Sequence, residues 1–167
     1  MGIHTLTKLI AVFALLFNLA ALSIKVADID DLTWKITADD AVSIINCNLD
    51  ATGELVIPDV IERRIVTSIG ASTFEDCTSL TSLTIPDSVT SIDSSAFRDC
   101  ARLSEVTFLG DKPSFGQGVF DGVSAVVLYP SFANGYTNPL AGLMAYKDGD
   151  YDPINHQHQK TQLEFLK

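Results

Sequence analysis

Phe74 and Phe97 stand 23 residues apart, as do Ile69 and Ile92, Cys77 and Cys100, and Leu80 and Leu103. The spacing carries forward from Phe97 to Phe120, from Leu83 to Val106 and from Ile85 to Phe108. Agreement at this many positions in one register is a repeat. A period of roughly 20–29 residues rich in Leu and Ile builds a solenoid, in which each unit buries its apolar face only against its neighbours. Such a chain offers a surface for contact rather than a deep pocket.

The clearest unit runs from Cys77 to Cys100. Leu80, Leu83 and Ile85 form a strand whose alternation turns Leu83 and Ile85 inward and Ser82 and Thr84 outward. Pro86-Asp87-Ser88 turns the chain out of that strand, and Val89 and Ile92 return to the interior. Asp93-Ser94-Ser95 carries side-chain oxygens suited to cap a single helical turn at Ala96-Phe97. The preceding unit repeats this with Leu55, Ile57, Val66, Ile69 and Phe74, plus five extra residues within Val60–Arg64 that must bulge. The following unit keeps Leu103, Val106 and Phe108, then places Phe115, Val119, Phe120 and Val123 where Ile92, Ala96, Phe97 and Cys100 stood. Ala125–Tyr129 reads as one more strand, ended by Pro130.

Four segments are expected. Residues 1–23 read as a signal peptide: Lys8 precedes the apolar run LIAVFALLFNLAAL, which is short for a membrane span, and Ala21 and Ser23 are small residues at a cleavage spacing. An uncleaved anchor helix is the alternative, because Ile24 and Val26 prolong the run. Residues 24–52 read as an N-terminal cap of two short strands, with Trp34 its largest apolar side chain and Ala38-Asp39-Asp40 as the turn. The acidic Asp28, Asp30 and Asp31 would discourage edge-to-edge sticking. Residues 53–130 are the repeats, and residues 131–167 a C-terminal cap followed by a polar tail without the 23-residue register.

The run LTSLTIPDSVTSIDSSAFRDC resembles the BspA-type leucine-rich repeat. ATGELVIPDVIERRIVTSIGASTFEDC is similar to that family's first repeat, and GDKPSFGQGVFDGVSAVVLYP to its ending. The resemblance covers Trp34 to Tyr136 and departs from Thr137 onward. It implies an α/β fold, a short leucine-rich-repeat solenoid with one parallel sheet on the concave side and short helical turns and loops on the convex side. It also implies a secreted or cell-surface protein of bacterial type, with some relatives acting as adhesins, and it brings no catalytic residues.

The outward strand positions Glu54, Val56, Ser82, Thr84, Glu105 and Thr107 are the candidate binding residues. They would form a small, hydroxylated, mildly acidic face suited to hydrogen bonds with a protein or glycan. The plainer explanation is that Thr and Ser simply favour half-exposed strand surfaces. The net charge of −10, which becomes −11 without residues 1–23 and their lone Lys8, disfavours nucleic acid and anionic lipid. No membrane insertion of the mature chain is expected. Cys47, Cys77 and Cys100 are an odd set, so not all can pair within the chain; a Cys77–Cys100 bridge between stacked units and buried thiols both remain open.

Metal and catalytic chemistry find no frame. Asp148, Asp150 and Asp152 alternate like a calcium loop, but Pro153 and Gln159 stand where Gly and Glu are required. His156 and His158 are too few ligands for a metal site, and no nucleophile–base motif is present. No cofactor and no enzyme activity are expected. The reading is an exported binding module for protein or glycan contact and adhesion, with a structural spacer or fragment of a longer array as the alternative.

Overall fold

A computed structural model describes residues 27–151. The signal segment, the His156/His158 pair and the end of the tail lie outside the described residues. Among the described residues, eleven strands follow a 3-10 turn at Ile29–Asp31. They form two sheets facing each other across one apolar core, joined by a stack of turns.

The first sheet is parallel throughout, in the order β3 (Gly53–Val56), β6 (Leu80–Ile85), β8 (Glu105–Phe108), β10 (Val126–Tyr129) and β11 (Met144–Lys147), read from one edge to the other. Each strand is short because the Pro or turn residues after it end the ladder. Leu55, Leu83, Val106 and Val127 line up across it in one buried row.

The second sheet runs β1 (Leu32–Ile36), β2 (Val42–Cys47), β5 (Arg64–Ile69), β7 (Ser91–Ile92) and β9 (Ser114–Phe115). β1 is antiparallel to β2, and the rest of that path is parallel. Ile44, Ile69, Ile92 and Phe115 are successive register partners, so β2, within the segment expected to cap the array, holds the same place as the strands of the following coils. The five-residue insertion is a hairpin: β4 (Val60–Ile61) pairs antiparallel with the start of β5, and Glu62 and Arg63 take φ of 49° and 67° to turn it.

Between the sheets the chain does not form the helical turn expected at Ala96-Phe97. Among the described residues the 3-10 turn at Ile29–Asp31 is the one helical segment. The Phe-bearing segments are turns that hydrogen-bond from coil to coil: Phe74 N–H donates to Ala96 O at 2.7 Å, and Phe97 N–H to Val119 O at 2.9 Å. Ser94 does not cap its own turn; its hydroxyl accepts from Gln117 N–H of the next coil at 3.1 Å. Ser72 and Ser95, like Asp76 and Asp99, adopt positive φ at equivalent turn positions, and Gly118 and Gly122 take those places in the next coil. Inside, Phe74, Phe97 and Phe120 stack with centroids 5.1 and 5.3 Å apart, an arrangement worth about 0.5–1.5 kcal/mol per pair beyond burial.

The N-terminal segment differs from expectation in two residues. Trp34 is half-buried against the core, but Ile36, the last residue of β1, is 52% exposed. Asp31 is buried rather than a guard of the edge: its carboxylate accepts from Asp28 N–H and from Asn48 Nδ2.

Candidate functional site

The outward face of the first sheet carries all six candidate residues in two rows. Glu54, Ser82 and Glu105 are register partners along one row, and Val56, Thr84 and Thr107 along the other. Each lies one residue from an inward-pointing Leu, Val or Ile, so packing of the core fixes where it points. Ser82, Thr84, Glu105 and Thr107 are partly exposed; Glu54 and Val56 are exposed, Val56 at 64%. Thr107 Oγ1 reaches Glu105 Oε1 at 3.4 Å.

The two rows do not stop at β8. Val126 and Met144 continue the first, and Leu128 and Tyr146 the second. The face is therefore hydroxylated and acidic over β3–β8, apart from the exposed Val56, and apolar over β10–β11, beyond the six candidate residues. Met144 and Tyr146 have no counterpart at the 23-residue spacing because β11 follows β10 after 18 residues, Val126 to Met144. The alternation of Met144, Ala145 and Tyr146 was the available signal, with Ala145 buried between two more open neighbours.

At the C-terminal tips of β8 and β10 the face opens into a cleft of about 160 Å³ lined by Phe108, Leu109, Leu128, Tyr129 and Pro130, with Thr107 and Asp148 as its polar members. Tyr129 is braced from behind by Tyr136, stacked at 4.2 Å, and the Tyr136 hydroxyl donates to Gly110 O at 3.1 Å.

The three cysteines are free and buried. Cys47 N–H donates to Thr73 O as Phe74 N–H does to Ala96 O, so Cys47 occupies the slot that the phenylalanines hold in later coils. Its thiol is pushed up by a hydrogen bond shared with Cys77 and then by burial, and the same bond lowers Cys77. Burial raises Cys100 to about 12, and its thiol donates to Phe74 O at 3.0 Å. These are core thiols within the turn stack, away from the strand face. Among the described residues no His/Cys/Asp/Glu group is arranged to hold a metal ion, and no helix is long and apolar enough to cross a membrane.

Residues 52–129 match the family described as BspA type Leucine rich repeat region (6 copies), a span that opens just before β3 and closes at the end of β10. The repeats belong to that family. The BspA-type match contains the six candidate face residues and leaves β2 and β11 outside it. In structure the chain is similar to the T. pallidum leucine rich repeat protein, at 18% identity and a TM-score of 0.49, over 74% of this chain and 64% of that one. It is also similar to a leucine rich cell surface protein from Faecalibacterium prausnitzii A2-165, at 22% identity and a TM-score of 0.49, over 70% of this chain and 40% of that one. The chain thus spans less than two thirds of the length of either. No curated protein matches it.

Proposed function

We propose that this chain is an exported BspA-type repeat module that contacts a protein or glycan, at the cell surface or outside the cell, through the outward face of β3, β6 and β8. One observation carries the reading: Glu54, Ser82, Glu105, Val56, Thr84 and Thr107 form two continuous rows across neighbouring strands. A rigid sheet presents them with little conformational entropy to lose on binding, and repeat arrays use such extended faces for recognition. The acidic balance favours partners with basic or neutral surfaces. The proposed division keeps residues 1–23 as the export signal, 24–52 as N-terminal cap, 53–130 as repeats and 131–167 as closing segment and tail. The reading is binding without catalysis, in keeping with a sequence that presents no nucleophile–base motif.

The test exposes the expressed chain to extracellular-matrix proteins, a glycan array and the surface fraction of its source organism. A Ser82→Arg/Thr84→Arg double variant, verified as folded by circular dichroism, is the control. Binding that the variant loses supports the reading. Binding that survives in the variant moves the contact off this face, and no binding to any probe leaves the spacer alternative in its place.

A further inference from the structure

The cleft beside Asp148 narrows the kind of partner. Its volume of about 160 Å³ is well below the roughly 300 Å³ at which small-molecule pockets begin, and is the scale of one long side chain. Its walls are apolar: Phe108, Leu128, Tyr129 and Pro130, with Leu109 47% exposed at the lip. Its rim carries one formal charge, the exposed Asp148, whose backbone N–H is fixed to Tyr129 O at 2.7 Å. Stacking of Tyr136 on Tyr129 keeps the wall preformed.

A slot with an apolar floor and a carboxylate at its mouth is complementary to a side chain with an aliphatic stem and a cationic head. Two cations on neighbouring coils are already engaged: Lys112 Nζ lies 4.6 Å over the Phe115 ring and donates to Pro113 O, and Arg98 pairs with Glu75. Lys147, next to Asp148, is exposed at the end of β11. The surrounding field is that of a chain with net charge −10, and Glu105, two residues before Thr107, extends the acidic character along the face.

We propose that this cleft takes the lysine or arginine side chain of a partner polypeptide, its stem along Leu128, Tyr129 and Pro130 and its cation against Asp148. The inference rests on the binding-face reading and selects, from protein or glycan, a protein segment bearing a basic residue. That segment would cross the hydroxylated rows of β6 and β8 and seat one basic side chain at the strand tips.

The experiment titrates the full chain with Nα-acetyl-lysine methylamide while methyl and amide resonances are followed by NMR. Saturable shifts at the Leu109 and Leu128 methyls and the Asp148 amide are expected, with about fivefold weaker binding of the uncharged norleucine analogue. Asp148→Asn should weaken the lysine probe about fivefold, the upper range for an exposed ion pair, and Asp39→Asn on the distant β1–β2 turn should leave it unchanged. No saturable shift, or equal weakening in Asp39→Asn, overturns the inference, the latter by assigning the attraction to the whole-chain field. The two readings fail separately. If Ser82→Arg/Thr84→Arg abolishes partner binding while Asp148→Asn leaves it at full strength, the face stands and the cleft falls.

Discussion

The central coils and the C-terminal end of the array solve the same packing problem by different means. From β5 to β8 most inward slots are filled by a residue of the same kind one period later, as in Val66 to Val89, Ile69 to Ile92 and Phe74 to Phe97. After Val123 the period breaks. Phe115 meets Phe120 edge-on at 5.8 Å, Tyr136 enters from the connecting loop against Phe108 and Tyr129, and β11 joins after a shorter step. Strict repetition stacks like on like and leaves a regular outward face. Loss of the period fills the end with assorted aromatics and leaves the face apolar. Repetition therefore governs the surface as well as the core.

The largest test of that contrast is truncation of the aromatic column. Phe97 is fully buried between Phe74 and Phe120, so Phe97→Ala should cost about 3–5 kcal/mol. Met144 on β11 is 44% exposed, and Met144→Ala should cost less than about 1 kcal/mol. Urea unfolding of both variants measures the gap. Similar losses would mean the end of the array is held as tightly as its centre.

Backbone spacing offers a second comparison. A methyl group on Gly116 would come within 2.3 Å of Ser94 N, where two coils touch backbone to backbone. Gly116→Ala should cost about 1–3 kcal/mol through forced separation of the coils. Gly142, in the closing loop, has nothing within 4 Å but takes φ of +88°. Its substitution by Ala should cost about 1 kcal/mol, from backbone strain alone. Thermal melts of the pair separate crowding from conformation, and equal shifts would remove the claim that close packing limits the centre.

The smallest effect distinguishes the thiol column from the end that lacks it. Burial raises Cys100 above its ordinary value of 9.0 to about 12, so the folded state holds that proton more tightly than the unfolded chain. Its contribution is complete below pH about 9 and is lost as pH climbs toward 12. Cys100→Val, which copies Val123 of the next coil, should flatten the alkaline decline in urea midpoint between those limits. Tyr136, also raised by burial, leaves a residual decline at the high end. An unchanged slope in Cys100→Val would show that the alkaline loss arises elsewhere.

Much of this molecule was legible because a solenoid converts sequence spacing directly into position. The inward and outward roles of Leu83, Thr84 and Ile85 follow from two-residue alternation, and the bulge at Val60–Arg64 follows from five residues more than the next coil needs. Where the period lapses, inference by spacing lapses with it. Tyr136 stacking on Tyr129, Asp148 at the mouth of a cleft and Tyr146 beside Leu128 all depend on the path of one loop, residues 130–143. Ser94 capping illustrates another limit: the residues suited a helix N-terminus, but donors on the next coil were nearer competitors for the same oxygen.

The amino-acid sequence alone determined the repeat length, the inward side chains of the repeats and the outward placement of the six candidate residues, because periodic burial needs no knowledge of the rest of the chain. Tertiary structure decided what lies beside that face. It joined β2 to the array, seated Cys47 at the end of the phenylalanine column, and extended the face over β10 and β11 to a cleft with Asp148 at its rim. Those placements rest on contacts between segments that share no period, and only the closed packing of the chain sets their distances.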